Sequence, residues 1–175
     1  MEIHSLLRQY LDRLAARGEY IPPIARAGGF TIEDQMFKGF ALCAPYVKLI
    51  AWARGPLAAA MVAKNIGKAI EQQQLPIYIE RFGTTTDEIF VTSTELREKY
   101  GDRFSKIPVG AIGFYTYYQR VAQGLRQLMA GARKFAVKYI DRSDIATLTP
   151  ESNRISGIEL VTEVDREEAE GILAQ

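Results

Sequence analysis

Two apolar runs in this chain each close on glycine and hand over to an amphipathic segment, one directly after the other. Ile21-Pro22-Pro23-Ile24-Ala25 leads into Ala27-Gly28-Gly29-Phe30-Thr31, and Tyr46–Trp52 leads into Ala53-Arg54-Gly55-Pro56. Between and after them the apolar residues recur at helical spacing. The order helix–strand–helix–strand–helix with short connections dictates two parallel strands with right-handed crossovers. Two parallel strands do not make a stable sheet alone, so both edges and both faces need partners.

The local readings follow from spacing. Leu6, Leu7, Tyr10, Leu11 and Leu14 form one face of a helix over Ile3–Arg17, which Gly18 stops. Pro22 and Pro23 cannot donate to a ladder and are tolerable only as the first residues of the strand Ile21–Ala25. Thr31, with Asp34 three residues on, starts a helix that runs to about Cys43 and is ended by Pro45. Tyr46–Trp52 is apolar apart from Lys48, the pattern of a strand buried on both faces. Pro56 suits the first position of a helix from Leu57 to about Gln72.

From Gln73 to Pro108 the chain reads as polar and irregular, with one short helix at Thr94–Tyr100 led by Thr92 and Glu95. The clearest helix spans about Ala111–Ile140. Phe114, Tyr117, Tyr118, Val121, Leu125, Leu128, Ala132, Phe135 and Tyr139 form its apolar face, and Gly124, Ala130 and Gly131 mark a kink or close backbone approach. The tail Asp141–Gln175 reads as two short helical pieces, the second starting at Asp165. The expected organisation is a partial barrel over 1–72, a connecting segment over 73–108 and a helical extension over 109–175.

Composition limits the function classes. At 175 residues and 47% hydrophobic the chain can bury one ordinary core. It is short of the roughly 250 residues of a complete (β/α)₈ barrel. A net charge of +1 with well-mixed signs supplies no basic stripe for nucleic acid. Cys43 is the single cysteine and His4 the single histidine, which rules out a disulfide framework and a zinc site of the usual kind. No signal peptide is visible at Met1-Glu2-Ile3-His4. Pro45, Lys48, Arg54 and Pro56 break the longest apolar stretch, Gly39–Ala63, so no membrane span is expected and the cytoplasm is the expected location.

The chemistry centres on the two glycine segments. Gly28 and Gly29 let the backbone turn without a Cβ and bring N–H groups close to an anion, and the following helix adds its positive end. Arg54-Gly55 repeats the arrangement with a bidentate donor. A lone Gly-Gly after a strand is an ordinary turn. Two such units in tandem are what a (β/α)₈ barrel uses to hold phosphate after its seventh and eighth strands, so a phosphate site is favoured.

Other residues take plainer readings. Lys48 either faces a barrel interior or snorkels to the start of its strand, the second being preferred. Lys38 is structural on a helix flank, Cys43 a small buried hydrophobe, and His4 a solvated surface residue. Arg120, Arg126 and Arg133 form a solvated face, and Phe114, Tyr115, Tyr117 and Tyr118 read as core. No catalytic residue can be named: one histidine on an N-terminal helix assembles no triad, and carboxylate pairs such as Glu167-Glu168 sit at a helix start.

The stretch from Ala27 to Ala44 (AGGFTIEDQMFKGFALCA) resembles the phosphate-loop-and-helix segment of FMN-dependent barrels, among them the glutamate synthase large subunit and IMP-dehydrogenase-like enzymes. The likeness extends furthest in the FMN-binding glutamate synthase family of archaea and bacteria. Ala53–Val62 (ARGPLAAAMV) looks like their segment after the last strand. Glu88–Thr92 (EIFVT) and Gln123–Phe135 (QGLRQLMAGARKF) look like their C-terminal extension, so the resemblance covers nearly the whole chain.

The resemblance implies an α/β fold: the last two βα units of an FMN-type barrel followed by a mostly helical extension. It makes Gly28 and Gly29 the FMN phosphate loop after the seventh strand, with Arg54 and Gly55 completing it after the eighth. Phe30 and Ala53 lie beside them as backbone or packing. In such enzymes the flavin passes electrons between a donor and an iminoglutarate-type intermediate, yielding glutamate. Two departures qualify the likeness. Leu57–Gln74 lacks the cluster-ligating cysteines of glutamate synthase, so no iron–sulfur cluster is expected from this chain. Strands one to six are also missing, and two loops cannot make a flavin active site. The expectation is therefore a flavoprotein part, active only with a chain or parent supplying those strands. The alternative is a non-enzymatic remnant or self-associating assembly module without cofactor.

Overall fold

The computed structural model describes residues 2–174. It is a mixed α/β chain, mostly helical, with two parallel strands among the described residues. The elements run α1 (Glu2–Ala16), β1 (Ile24–Ala27), α2 (Glu33–Leu42), β2 (Val47–Ala51), α3 (Arg54–Glu71), α4 (Ile77–Glu80), α5 (Thr86–Ile89), α6 (Ser93–Tyr100), α7 (Val109–Gly131), α8 (Pro150–Ser156) and α9 (Arg166–Leu173). They sort into two compact units. The first comprises Met1–Ala27, Asp34–Ala51 and Leu125–Gln175, and the second Gly28–Glu33 and Trp52–Gly124.

In the first unit β1 and β2 pair in parallel, with Ala25 opposite Leu49 and Ala27 opposite Ala51 after a register shift at Ile24. Phe37, Phe40 and Ala41 of α2 bury against Met129 and Ile140, with Val47 and Ile50 of β2 packed on them. Arg142 holds the end of α2, donating to the Leu42 carbonyl at 3.0 Å and to the Ser156 carbonyl. A helix end leaves such carbonyls without intrahelical partners, and a cation there also suits the helix dipole. Thr149 caps α8, Pro150 opens it and Gly157 closes it in the left-handed conformation.

The second unit is built on a seam of small residues between α3 and α7. A Cβ on Gly67 would lie 2.8 Å from the Val109 Cβ, one on Gly110 would lie 2.9 Å from the Ala60 carbonyl, and one on Gly113 would collide with Ala63. The two backbones approach closely because nothing larger intervenes. Phe90, Leu96 and Phe104 close over Ala63 and Ile112 to complete the core. Thr85 and Glu88 form a reciprocal capping box on α5. Asp87 accepts from Ser93 and from Arg97, and these donors hold its carboxyl below the usual range.

Several expectations shift. The first strand starts at Ile24, not Ile21, since Pro22 and Pro23 lack the N–H that a ladder needs. β2 is not buried on both faces: Leu49 is 63% exposed. Thr31 does not begin α2, which starts at Glu33. Stretch 73–108 is not irregular around a single helix but holds α4, α5, α6 and a 3₁₀ segment, Gly101–Lys106. Thr92 precedes α6 without capping it, because its hydroxyl is engaged with that of Thr116 at 2.6 Å. The long helix stops at Gly131 instead of Ile140. Arg133 turns left-handed at φ 55°, and the Lys134 N–H bonds back to the Met129 carbonyl at 2.8 Å. Phe135, expected on its apolar face, is 85% exposed.

Candidate anion-binding site

All six residues singled out for cofactor binding (Gly28, Gly29, Phe30, Ala53, Arg54 and Gly55) belong to the second unit. They occupy two different kinds of junction.

At the first, five residues separate β1 from α2. Gly28 and Gly29 have φ of 96° and 75°, and a Cβ on either would meet nothing within 4 Å. Glycine is needed there for its backbone conformation, not for want of space. Both glycines are exposed, whereas Phe30 buries its ring and anchors the turn.

At the second, α3 begins at Arg54, three residues before the expected Leu57. Pro56 sits in the first turn, where its missing N–H removes no intrahelical bond. Ala53 is the N-cap and offers no side chain to the first N–H groups; the Leu57 N–H opens the helical ladder on its carbonyl at 3.0 Å. The N–H groups of Arg54 and Gly55 therefore emerge at an uncapped, positively polarised terminus. The Arg54 side chain is exposed beside them.

Tyr117 of α7 joins the two junctions. Its hydroxyl donates to the Thr31 carbonyl and lies where a Gly55 Cβ would be, with the ring Cζ 3.3 Å and the Thr31 Cγ2 3.4 Å from that point. Gly55 is thus required for close approach, a different reason from that at Gly28 and Gly29. One and two turns further along α7, Arg120 pairs with Glu33 at 3.6 Å, and a Cβ on Gly124 would come 2.6 Å from the Glu33 Cγ. Gly124 and Gly131 are expected to mark a kink or close backbone approach; at Gly124 it is the Glu33 side chain that comes close, and Gly131, with nothing within 4 Å of a Cβ, is the last residue of α7. Trp52, just before Ala53, stacks parallel to Tyr118 with ring centroids 6.3 Å apart.

The aromatic row is core only in part: Phe114 and Tyr118 are exposed, whereas Tyr115 packs against the core of the second unit and its hydroxyl donates to Glu95 at 2.9 Å. Sequence reasoning placed Tyr117 on an apolar face and missed its role; the usable signal was its seven-residue spacing to Gly124, which puts both on one side of the helix.

The remaining flagged residues have local duties. Lys48 reaches back to the Pro45 carbonyl at 2.8 Å, at the start of its strand. Lys38 pairs with Asp34 at 2.8 Å on α2 and lowers the pKa of that carboxyl. Cys43 is buried, which pushes its thiol up, although Arg26 lies 3.8 Å from the sulfur. His4 is half-buried; burial and the Arg26 charge push its imidazole down. Arg126 and Arg133 are exposed.

Among the described residues no group of three or more His, Cys, Asp or Glu side chains is arranged to hold a metal ion, and no helix is long and apolar enough to cross a membrane. No protein-family model, curated protein or solved structure matches this chain.

Proposed function

We propose that this chain is the phosphate-holding part of an FMN-binding, glutamate synthase-like flavoprotein, its two βα units being the last two of a (β/α)₈ barrel. The observation that carries this reading is the pairing of the uncapped α3 terminus led by Arg54 with the exposed turn that begins at Gly28–Gly29, both in one unit and linked through Tyr117 and Thr31. Backbone N–H groups, a helix dipole and a guanidinium are the donor set a phosphomonoester needs. The fit ends at the phosphate: these residues offer nothing specific to an isoalloxazine ring. When bound, FMN would supply the electron transfer, and the ring and substrate contacts would come from strands outside this chain, whether of another chain or of a longer parent.

The second reading is an assembly module without cofactor. It is favoured by exposed apolar residues within each unit: Ile3, Leu6 and Tyr10 on α1, and Leu57, Met61 and Val62 on α3. Under the first reading the same residues await the missing strands.

A flavin titration with the solution mass recorded alongside tests both. FMN bound more tightly than riboflavin, with Arg54→Ala removing the difference, supports the phosphate site. A folded oligomer that ignores FMN, alone and with the missing strands supplied, sinks that reading and leaves the assembly module.

A further inference from the structure

Resting on the phosphate reading, we infer that Tyr117 is a positioning residue for the candidate site, holding the Gly28–Thr31 turn against the first turn of α3 so that both donor sets face one anion. One side of α7 grips the turn at successive levels: Tyr117 on the Thr31 carbonyl, Arg120 on the Glu33 carboxylate, and Gly124 making room for the Glu33 side chain. Only Tyr117 also touches the second junction, because the missing Cβ of Gly55 leaves the space its hydroxyl fills. Removing that hydroxyl takes away one hold on the turn and leaves the ring in place.

The phenol suits a permanent clasp. Burial pushes its pKa above the usual tyrosine range, and the nearby Glu33 charge acts in the same direction while Arg120 opposes it. It therefore remains a neutral donor across physiological pH. The Arg120 charge is engaged by Glu33, so the carboxylate in the first turn of α2 does not stand uncompensated beside the anion. An extension that looks like an appendage in sequence thereby becomes part of the binding apparatus.

The test compares Tyr117→Phe with Tyr118→Phe, whose hydroxyl lies outside the clasp, by titrating FMN and riboflavin and by following amide hydrogen exchange over residues 28–31. Tyr117→Phe is expected to weaken FMN roughly five- to tenfold, the range of one hydrogen bond. Riboflavin affinity should not change, exchange at 28–31 should accelerate, and Tyr118→Phe should do neither. Unchanged exchange, or equal weakening of both flavins, overturns the positioning role. Faster exchange in Tyr117→Phe, in a native chain that shows no preference for FMN over riboflavin, upholds the positioning role and overturns the phosphate reading instead.

Discussion

The two strand-to-helix junctions read almost alike in sequence and are built on opposite principles. After β1 the chain spends five residues in a turn whose shape comes from two positive-φ glycines and whose position is set from outside by Tyr117. After β2 only Trp52 and Ala53 intervene, and the helix itself, opening at Arg54, presents the donors. One junction is shaped by glycine and held by Tyr117; the other is shaped by the helix itself. Glycine serves backbone conformation in the first and close approach in the second, so the same substitution should fail for different reasons.

The largest expected effect is at Gly55. Gly55→Val should destabilise by about 2–3 kcal/mol through overpacking against Tyr117, read as a lower denaturation midpoint. If the cause is steric, combining Gly55→Ala with Tyr117→Phe should recover more than half of the loss seen in Gly55→Ala alone. Additive losses would show that space is not the issue. Gly29→Ala should cost about 1–2 kcal/mol from left-handed strain, and Tyr117→Phe should not rescue it. That contrast is the sharpest available separation of the two junctions.

Acid unfolding supplies a reference outside both. Lys134 and Ser143 hold the Asp141 carboxyl at about 2, below its unfolded value of roughly 3.9. Its contribution to stability is therefore present above about pH 4 and is lost as the pH falls toward 2. Asp141→Asn should flatten the native profile in that window, whereas the Gly55 and Gly29 variants should keep its shape. Arg54→Ala should move stability by less than about 0.5 kcal/mol, since the side chain is exposed, while abolishing the preference for FMN over riboflavin. Lys48→Met should do least, within about 0.3 kcal/mol and with flavin binding unchanged, because its ammonium reaches only the exposed Pro45 carbonyl.

The parallel pairing, both amphipathic helices around it and the helical tail were legible because period and punctuation agree there. What failed to show had particular causes. The end of α7 carries arginine at the left-handed position where glycine is usual, so the apolar period runs on past a stop that no residue type announces. In 73–108 the two unforeseen helices, α4 and α5, are single turns of four residues, too short for periodicity to register, and only α5 carries a side-chain cap, Thr85–Glu88. The candidate residues Gly28, Gly29, Arg54 and Gly55 stand out in the chain by type and spacing; the contact made by Tyr117 does not, because its partner Thr31 lies 86 positions away and only tertiary packing brings them together.

The small-residue seam between α3 and α7 has a mechanical consequence. Ala63 lies nine residues into α3 from Arg54, about 14 Å along the axis. Small residues keep α3 close to α7 along a seam that runs from Gly67 to Gly55, where Tyr117 sits, so α3 has little room to shift without disturbing its first turn. A methyl group added at Gly113 would collide with Ala63 and force the two helices apart on the same seam that ends at Gly55. Substitutions far along α3 and α7 are therefore expected to be felt at the first turn of α3.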